Sequence, residues 1–174
     1  MAEILSFEKQ KKKKKSKPEP SQKIIAAIEQ YFKENEYKFK PVDEHGIFRT
    51  GFSLDCKLKD VSVAITAESN GVMIHFVLPI GSGRDKDDQT RVAEFLTRAN
   101  YGLLRGRFEL DLSDGEIFFH DAVYGLGDFV PSQKAIDRLI SHGLAMVEMY
   151  GDALLKVICE VATPEEAVNE AEAD

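Results

Sequence analysis

The chain has 174 residues, of which 43% are hydrophobic and 30% are charged, and this composition is typical of one soluble domain with tails. No apolar run approaches the roughly 20 residues that a transmembrane helix needs, and the only apolar patch near the start, residues 4–7, is too short for a secretory signal. We therefore expect a cytoplasmic protein. Cys56 and Cys159 fit no metal-binding or redox spacing, so we predict two unlinked thiols.

The net charge of −7 is distributed unevenly along the chain. Residues 1–20 are rich in lysine, and we predict a disordered leader there because like charges repel and little apolar surface compensates. An alternative is that the lysine-rich leader is a charge tether, which binds nucleic acid or an anionic membrane through its positive charges. Its residues would be five consecutive lysines: Lys11, Lys12, Lys13, Lys14 and Lys15. The remainder of the chain is more acidic still, which argues against a nucleic-acid-binding face on the domain itself. We expect the acidic tail, residues 162–174, to be frayed or disordered.

The first half of the chain predicts one helix followed by three strands. Apolar residues at helical spacing behind the N-cap Ser21 predict a helix over residues 22–35. The predicted strands cover residues 46–55, 61–68 and 72–79. Gly51 in the first strand suggests a bulge or a close approach of another backbone. The third strand is apolar on both sides, so we place it in the middle of a sheet.

The second half predicts a helix, a β-hairpin and a longer helix. Acidic residues can cap the middle helix, which ends near Asn100. Phe108, Leu110 and Leu112 alternate with polar residues, as in a half-buried strand, and a tight Asp114-Gly115 turn would close the hairpin. The last predicted helix covers residues 133–159, and its internal glycines, Gly143 and Gly151, suggest that another backbone packs closely against it.

The order α-β-β-β-α-β-β-α predicts an α+β, two-layer domain. Antiparallel hairpins would form a sheet of about five strands, and the helices would cover one of its faces. We place this domain at residues 21–161, between the lysine-rich leader and the acidic tail.

The stretch RANYG…GRFELDLSDGEIFFHDAV, followed by a long helix, resembles the YbjN-like family of bacterial sensory transduction regulators. The resemblance covers residues 21–161. It rests on Asn100 at the end of the middle helix and on two short motifs. The first motif consists of Gly106, Phe108, Leu110 and Asp111, and the second of Asp114, Gly115 and Ile117. The family is similar in fold to type III secretion chaperones. The resemblance therefore implies an unstructured protein segment as partner and a homodimer as assembly.

No residue set in the sequence indicates an enzyme, a cofactor or a metal. The four histidines, His45, His75, His120 and His142, belong to no zinc motif, and no P-loop, dinucleotide-binding or serine-nucleophile motif occurs. His120 and Asp121 could join a metal or acid/base site if His75 faced them across the sheet. A strand position that faces water or a hydrogen-bond partner is the simpler interpretation.

Two further polar clusters have simple structural interpretations. Residues 81–84 are too short to cradle a phosphate, and the aspartates that follow would repel it. Asp111, Asp114 and Glu116 could bind a cation, but the polar tip of a hairpin explains them equally well.

We therefore predict a non-catalytic, chaperone-like binding or regulatory module. The sheet face without helices would keep Met73, Val77 and Phe118 partly apolar, and a second subunit or an extended peptide segment would bury them. The full predicted partner-binding set is Met73, His75, Val77, Phe118, His120, Gly143 and Tyr150.

Overall fold

The computed structural model describes residues 19–83 and 85–173, which form four helices and five strands. These elements are α1 (Gln22–Glu34), β1 (Ile47–Ser53), β2 (Asp60–Ala67), β3 (Gly71–Gly81), α2 (Lys86–Asn100), β4 (Arg107–Leu110), β5 (Glu116–Tyr124), α3 (Gln133–Ile158) and α4 (Pro164–Ala171). The predicted α+β class is confirmed. The predicted element order is confirmed up to α3, and α4 is an additional helix.

The strands form one antiparallel sheet in the order β1-β2-β3-β5-β4. As predicted, β3 lies in the middle, between β2 and β5. The register of β3 against β5 shifts between Val77 and Gly81. Pro79 lies in this stretch and has no backbone N–H to contribute to a ladder. Gly51, where we expected a bulge or a close approach of another backbone, pairs in register with Ser62, and a Cβ there would lie 3.4 Å from the Val61 carbonyl oxygen.

The helices pack on one face of the sheet, which we call the inner face. Alternate strand residues point to this face and are buried, for example Phe76 in β3. The ring of Phe32 in α1 lies 5.9 Å from that of Phe48 in β1. The ring of Tyr150 in α3 lies 5.6 Å from that of Phe108 in β4. The core therefore lies between the helices and this single face, as a two-layer domain requires.

The first and third helices are joined directly. Tyr31 in α1 donates its hydroxyl hydrogen to Asp137 Oδ1 in α3 over 2.9 Å, across 106 positions of sequence. Each of these helices begins at a serine N-cap: Ser21 Oγ accepts from the Ile24 N–H, and Ser132 Oγ from the Ala135 N–H. The predicted cap of α1 is thereby confirmed.

Our expectation of a frayed acidic tail is wrong, because α4 is an ordered helix that packs against α2 and α3. Its Ala167 and Val168 are buried. The helix begins with a capping box, in which Glu166 N–H donates to Thr163 Oγ1 and Thr163 N–H donates to Glu166 Oε2. At the C-terminal end of α4, the Tyr150 hydroxyl donates a hydrogen bond to Glu172 over 2.8 Å and so links this end to α3.

The hairpin between β4 and β5 has a longer connection than predicted. β4 ends at Leu110, and Leu112, expected in the strand, is exposed in the connecting loop. Asp111 Oδ1 accepts from the Ser113 N–H over 2.8 Å, and Gly115 has a φ of +84°. Glycine adopts this left-handed conformation without strain, so the importance of Gly115 is confirmed although the turn is not a two-residue one.

Within the described residues, none of the helices is both long and apolar enough to cross a bilayer. Cys56 and Cys159 are free, as predicted.

Candidate functional site

The outer face of the sheet, opposite the helices, brings together five of the predicted partner-binding residues. Its central part consists of three adjacent cross-strand pairs between β3 and β5: Met73 with Ala122, His75 with His120, and Val77 with Phe118. All six residues are half-buried. Side chains directly opposite each other on antiparallel strands lie in contact, so these pairs form one continuous patch.

The two histidines form the polar centre of this patch. Nδ1 of His120 lies 2.9 Å from Nε2 of His75, so in the neutral pair one ring donates its N–H and the other accepts. Burial lowers the pKa of His75, and burial together with the neighbouring His75 lowers the pKa of His120. The pair is therefore neutral at physiological pH. The Phe118 ring packs edge-on against His75 at 5.2 Å between centroids.

Charged residues lie at both edges of the outer face. On β4, Arg107 is opposite His120, Glu109 is opposite Phe118, and the two charged groups form an ion pair with each other. On β1, Arg49 pairs with Asp43 at 2.7 Å. These edge charges surround an apolar strip with the histidine pair inside it.

Two adjacent grooves lie on the β1 side of the outer face. We call the first, of about 640 Å³, the basic groove because Lys38, Lys40 and Arg49 line it together with Phe39, Ala64 and Val77. We call the second, of about 570 Å³, the acidic groove because Glu19, Glu44 and Glu68 line it together with Ala64, Met73 and His75. Arg49 and Ala64, which pair across β1 and β2, line both grooves, so the two are adjacent.

The segment before β1 covers part of the β1 edge and brings its lysines to the basic groove. The Lys40 N–H donates to the Arg49 carbonyl over 2.8 Å, and the Thr50 hydroxyl donates to the Lys38 carbonyl over 2.6 Å. Sequence reasoning missed these residues because the pattern does not show which loop returns to a strand edge. The alternation of lysine with Phe39 at residues 38–40 is the one signal that could have indicated an added strand.

Asp121 does not lie on the same face as His75 and His120, so the structure does not support the alternative of a site shared by the three residues. Neighbouring strand residues point to opposite faces, so Asp121 lies on the inner face, only 2% exposed. There its Oδ2 accepts from Arg105 Nη2 at 2.7 Å and lies 3.1 Å from Nδ1 of His142. This buried carboxylate connects the loop before β4 to α3.

Gly143 and Tyr150 are core residues, and we remove them from the partner-binding set. A Cβ placed on Gly143 would lie 2.0 Å from Cε2 of Phe76, so the glycine admits a ring from the sheet and not another backbone. Gly151 likewise faces the side chain of Leu58. Tyr150 is 3% exposed and packs between Phe95 and Phe108.

The other candidate sites have structural roles or lie outside the described residues. Asp114 Oδ1 accepts from the Glu116 N–H over 3.0 Å inside the hairpin loop. The Ser82 N–H donates to the Gly115 carbonyl over 3.0 Å, so the segment after β3 packs on that loop. In residues 19–83 and 85–173, no three metal-ligating side chains converge. The tether lysines, residues 11–15, are not among the described residues.

Comparison with known proteins gives a matching family and matching solved structures. A family model described as "Putative bacterial sensory transduction regulator" and named YbjN matches residues 25–156. A solved structure of YbjN, described as a putative transcription regulator from E. coli, superposes with a TM-score of 0.54 at 12% sequence identity, covering 79% of this chain and 90% of that one. At this identity the superposition establishes the shared fold. No curated protein matches the sequence. Because the family model covers most of the chain, including all five strands, the whole of α2 and most of α1 and α3, the chain belongs to the YbjN family.

Proposed function

We propose that the chain is a non-catalytic, chaperone-like regulatory module that binds a partner polypeptide on the outer face of its sheet. The observation that carries this proposal is the patch of three cross-strand pairs, because it keeps Met73, Val77 and Phe118 half-exposed. Membership of a regulator family supports a role exerted through another molecule. The resemblance of that family to type III secretion chaperones supports an extended peptide segment as the partner.

The sheet edges favour a partner that contacts the side chains of the outer face over a partner that hydrogen-bonds to an edge strand. The β1 edge is partly occupied by the hydrogen bonds of Lys38 and Lys40. The opposite edge strand, β4, has only four residues and carries the charges of Arg107 and Glu109. Short, charged edge strands discourage further strand pairing. The apolar strip with its neutral histidine pair is the surface that remains for recognition.

The proposal is tested with a Phe118→Asp variant of the full chain. The new carboxylate would oppose Val77 and lie beside Glu109, so a partner would have to bury an unpaired charge. The matched control is Leu104→Asp, because Leu104 is fully exposed in the loop before β4. Partners that co-purify with the wild-type chain are identified by mass spectrometry, and their affinities for the three purified chains are then measured by calorimetry.

We expect about a tenfold or greater loss of affinity for Phe118→Asp and an unchanged affinity for Leu104→Asp. Equal melting temperatures of the variants would show that folding is intact. If the partner is a second copy of this chain, light scattering will give twice the 19.5 kDa mass for wild type and the monomer mass for Phe118→Asp. A partner that binds wild type and Phe118→Asp equally well would overturn the proposal.

A further inference from the structure

Two loops at one end of the sheet expose large apolar side chains. They are the α2–β4 loop, residues 101–106, and the β5–α3 loop, residues 125–132. Both lie where β4 begins and β5 ends, because Arg107 pairs with His120 and β5 continues to Tyr124. We call these two loops, together with Tyr124, the loop end. Eight large apolar side chains of the described residues are exposed, and five of them belong to the loop end: Tyr101, Leu104, Tyr124, Leu126 and Val130.

The α2–β4 loop exposes its leucine although the residues on both sides are fixed. Leu104 is 102% exposed. Leu103 before it is half-buried and packs against the core. Arg105 after it forms an ion pair with the buried carboxylate of Asp121, with 2.7 Å between Nη2 and Oδ2. The backbone therefore holds the side chain of Leu104 outward.

The β5–α3 loop has the same construction. Leu126 is 97% exposed. The Gly125 N–H donates to the Asn70 carbonyl in the β2–β3 turn over 3.0 Å. Phe129 is half-buried and packs against the core, and its ring lies 2.1 Å from the place where a Cβ on Gly125 would be. The loop thus buries one large apolar side chain and presents another to solvent.

A groove of about 670 Å³ joins the two loops and contributes positive charge. Arg105 of the first loop and Ser132 of the second line it, together with Lys134 and Arg138 from the first two turns of α3. Lys134 and Arg138 are exposed, and among the described residues neither takes part in an ion pair. The one acid that lines the groove, Asp137, accepts a hydrogen bond from α1. Positive charge therefore predominates beside the exposed leucines.

Apolar side chains on loop tips beside cations match the interface of a phospholipid membrane. Apolar side chains enter the boundary between headgroups and acyl chains, tyrosine rings lie at the level of the headgroups, and lysine and arginine meet the lipid phosphates. A protein partner would have to supply a complementary surface that packs closely around each leucine. A fluid bilayer adapts to separate protruding side chains and needs no such surface.

We propose that the loop end docks on a phospholipid membrane surface, with Leu104 and Leu126 inserted below the headgroups. Lys134 and Arg138 then lie at the level of the lipid phosphates. The loop end contains none of the three cross-strand pairs of the outer face. The docking therefore goes beyond the function proposed above and does not depend on it.

Vesicle binding by the full chain tests the docking. The vesicles contain phosphatidylcholine with about one quarter phosphatidylglycerol, which gives them a negative surface. The test variant combines Leu104→Asp with Leu126→Asp. The matched control combines Leu112→Asp with Val161→Asp, because these two exposed apolar residues lie in the β4–β5 connection and beyond the far end of α3.

We expect about tenfold or greater weakening of vesicle binding for the test variant, since two buried leucines would be replaced by carboxylates that face lipid phosphates. The control should bind like wild type. Because all four positions are exposed, the melting temperatures of the three chains should agree.

A single tryptophan reports the inserted position independently of these variants. The protein contains no tryptophan, so Leu126→Trp introduces one fluorophore in the loop end. Leu112→Trp, in the β4–β5 connection, is the reference. When vesicles are added, emission should shift to the blue and be quenched by brominated acyl chains at position 126 but not at position 112.

The outcomes separate this docking from the function proposed above. Equal vesicle binding by the test variant and the control, or equal quenching at positions 126 and 112, would overturn the docking. So would a wild-type chain that ignores vesicles but forms a dimer that the test variant loses, because the leucines would then belong to a protein interface. If vesicle binding requires the leucines while Phe118→Asp leaves partner affinity unchanged, the docking holds and the proposed function fails.

Discussion

At the scale of single residues, the contact between Gly143 and Phe76 determines how closely α3 approaches the sheet. The ring of Phe76 is completely buried and lies where a Cβ on residue 143 would be. From the sequence we predicted that another backbone packs closely at the helix glycines, and this prediction is wrong, because the close neighbours are side chains. The neighbour is a phenylalanine ring because strand side chains, and not strand backbones, face a helix across a two-layer core.

Gly143→Ala should destabilise the protein even though alanine favours a helix. Replacing glycine by alanine stabilises the helix itself by about 1 kcal/mol. Overpacking a closed core costs about 1–3 kcal/mol, and the cost here is high because the new Cβ would lie 2.0 Å from Cε2 of Phe76. We expect a net loss of about 1–2 kcal/mol, which lowers the melting temperature by about 2–8 °C in a chain of this size. Differential scanning calorimetry measures this decrease in melting temperature.

The matched substitution is Gly151→Ala, where the nearest atom is Cδ1 of Leu58 at 2.8 Å. This is the end of a flexible side chain that can move away, so the loss should be smaller. A Gly143→Ala protein as stable as wild type would contradict our account of this contact.

At the scale of elements, the structure confirms those helices and strands that have a strong period in the sequence. The ends of helices and strands depend on tertiary contacts, which the hydrophobic period of the sequence does not reveal. β4 ends at Leu110 because Asp111 and Gly115 close the loop through their own hydrogen bonds, which leaves Leu112 outside the sheet. α4 was missed because its eight residues, three of which are glutamates, are too few to show a clear helical period. Its Thr163-x-x-Glu166 capping box was the available signal.

Thr163→Ala should weaken α4 selectively. Loss of an N-cap costs about 0.5–2 kcal/mol, typically about 1, and Thr163 also binds the Glu166 carboxylate through its hydroxyl. Hydrogen exchange followed by mass spectrometry should show faster exchange in α4 and little change in the sheet. Thr163→Ser, which keeps the hydroxyl, should exchange like wild type.

The control for this prediction is Thr97→Ala, since Thr97 is exposed within α2 and bonds only to the carbonyl one turn earlier. It should leave α4 exchange unchanged. Similar exchange in the Thr163→Ala and wild-type proteins would mean that α4 is held by its buried residues without help from the cap.

At the scale of the whole molecule, the period-2 pattern of the strands predicted the central part of the candidate site, and the topology supplied the rest. Met73, His75 and Val77 alternate along one strand, so a shared face follows from the sequence. Their pairing with Phe118 and His120 depends on the antiparallel register of β3 and β5, which no local pattern specifies. Lys38, Glu44 and Glu68 join the face only through loops, and sequence reasoning did not include them.

The stability of the whole domain should fall in two separate pH ranges. The pKa values of His75 and His120 are lowered in the folded protein, so the unfolded chain takes up protons first as the pH falls through about 6.5. The free energy of unfolding therefore decreases from about pH 7 downwards until the folded pKa values are passed. Asp43, Asp111 and Glu166 have lowered pKa values because of their hydrogen bonds, so their contribution is lost only in stronger acid, below about pH 4.5.

Melting temperatures measured from pH 8 to pH 3 test this expectation. His75→Gln should flatten the first decrease and leave the second in place. His45→Gln removes an exposed histidine in the loop before β1 and should retain both. A melting temperature that is constant from pH 8 to 5 in wild type would show that the histidine pair has no influence on stability.

The link between Tyr31 and Asp137 also has a consequence for protein synthesis. When the ribosome has translated the chain only as far as β5, the residues of all five strands have been made, but the Tyr31 hydroxyl has no partner and α3 is not there to cover Phe76. We therefore expect aromatic residues of the inner face, such as Phe76, to remain uncovered until α3 has been made. The core closes only after the third helix has emerged from the exit tunnel.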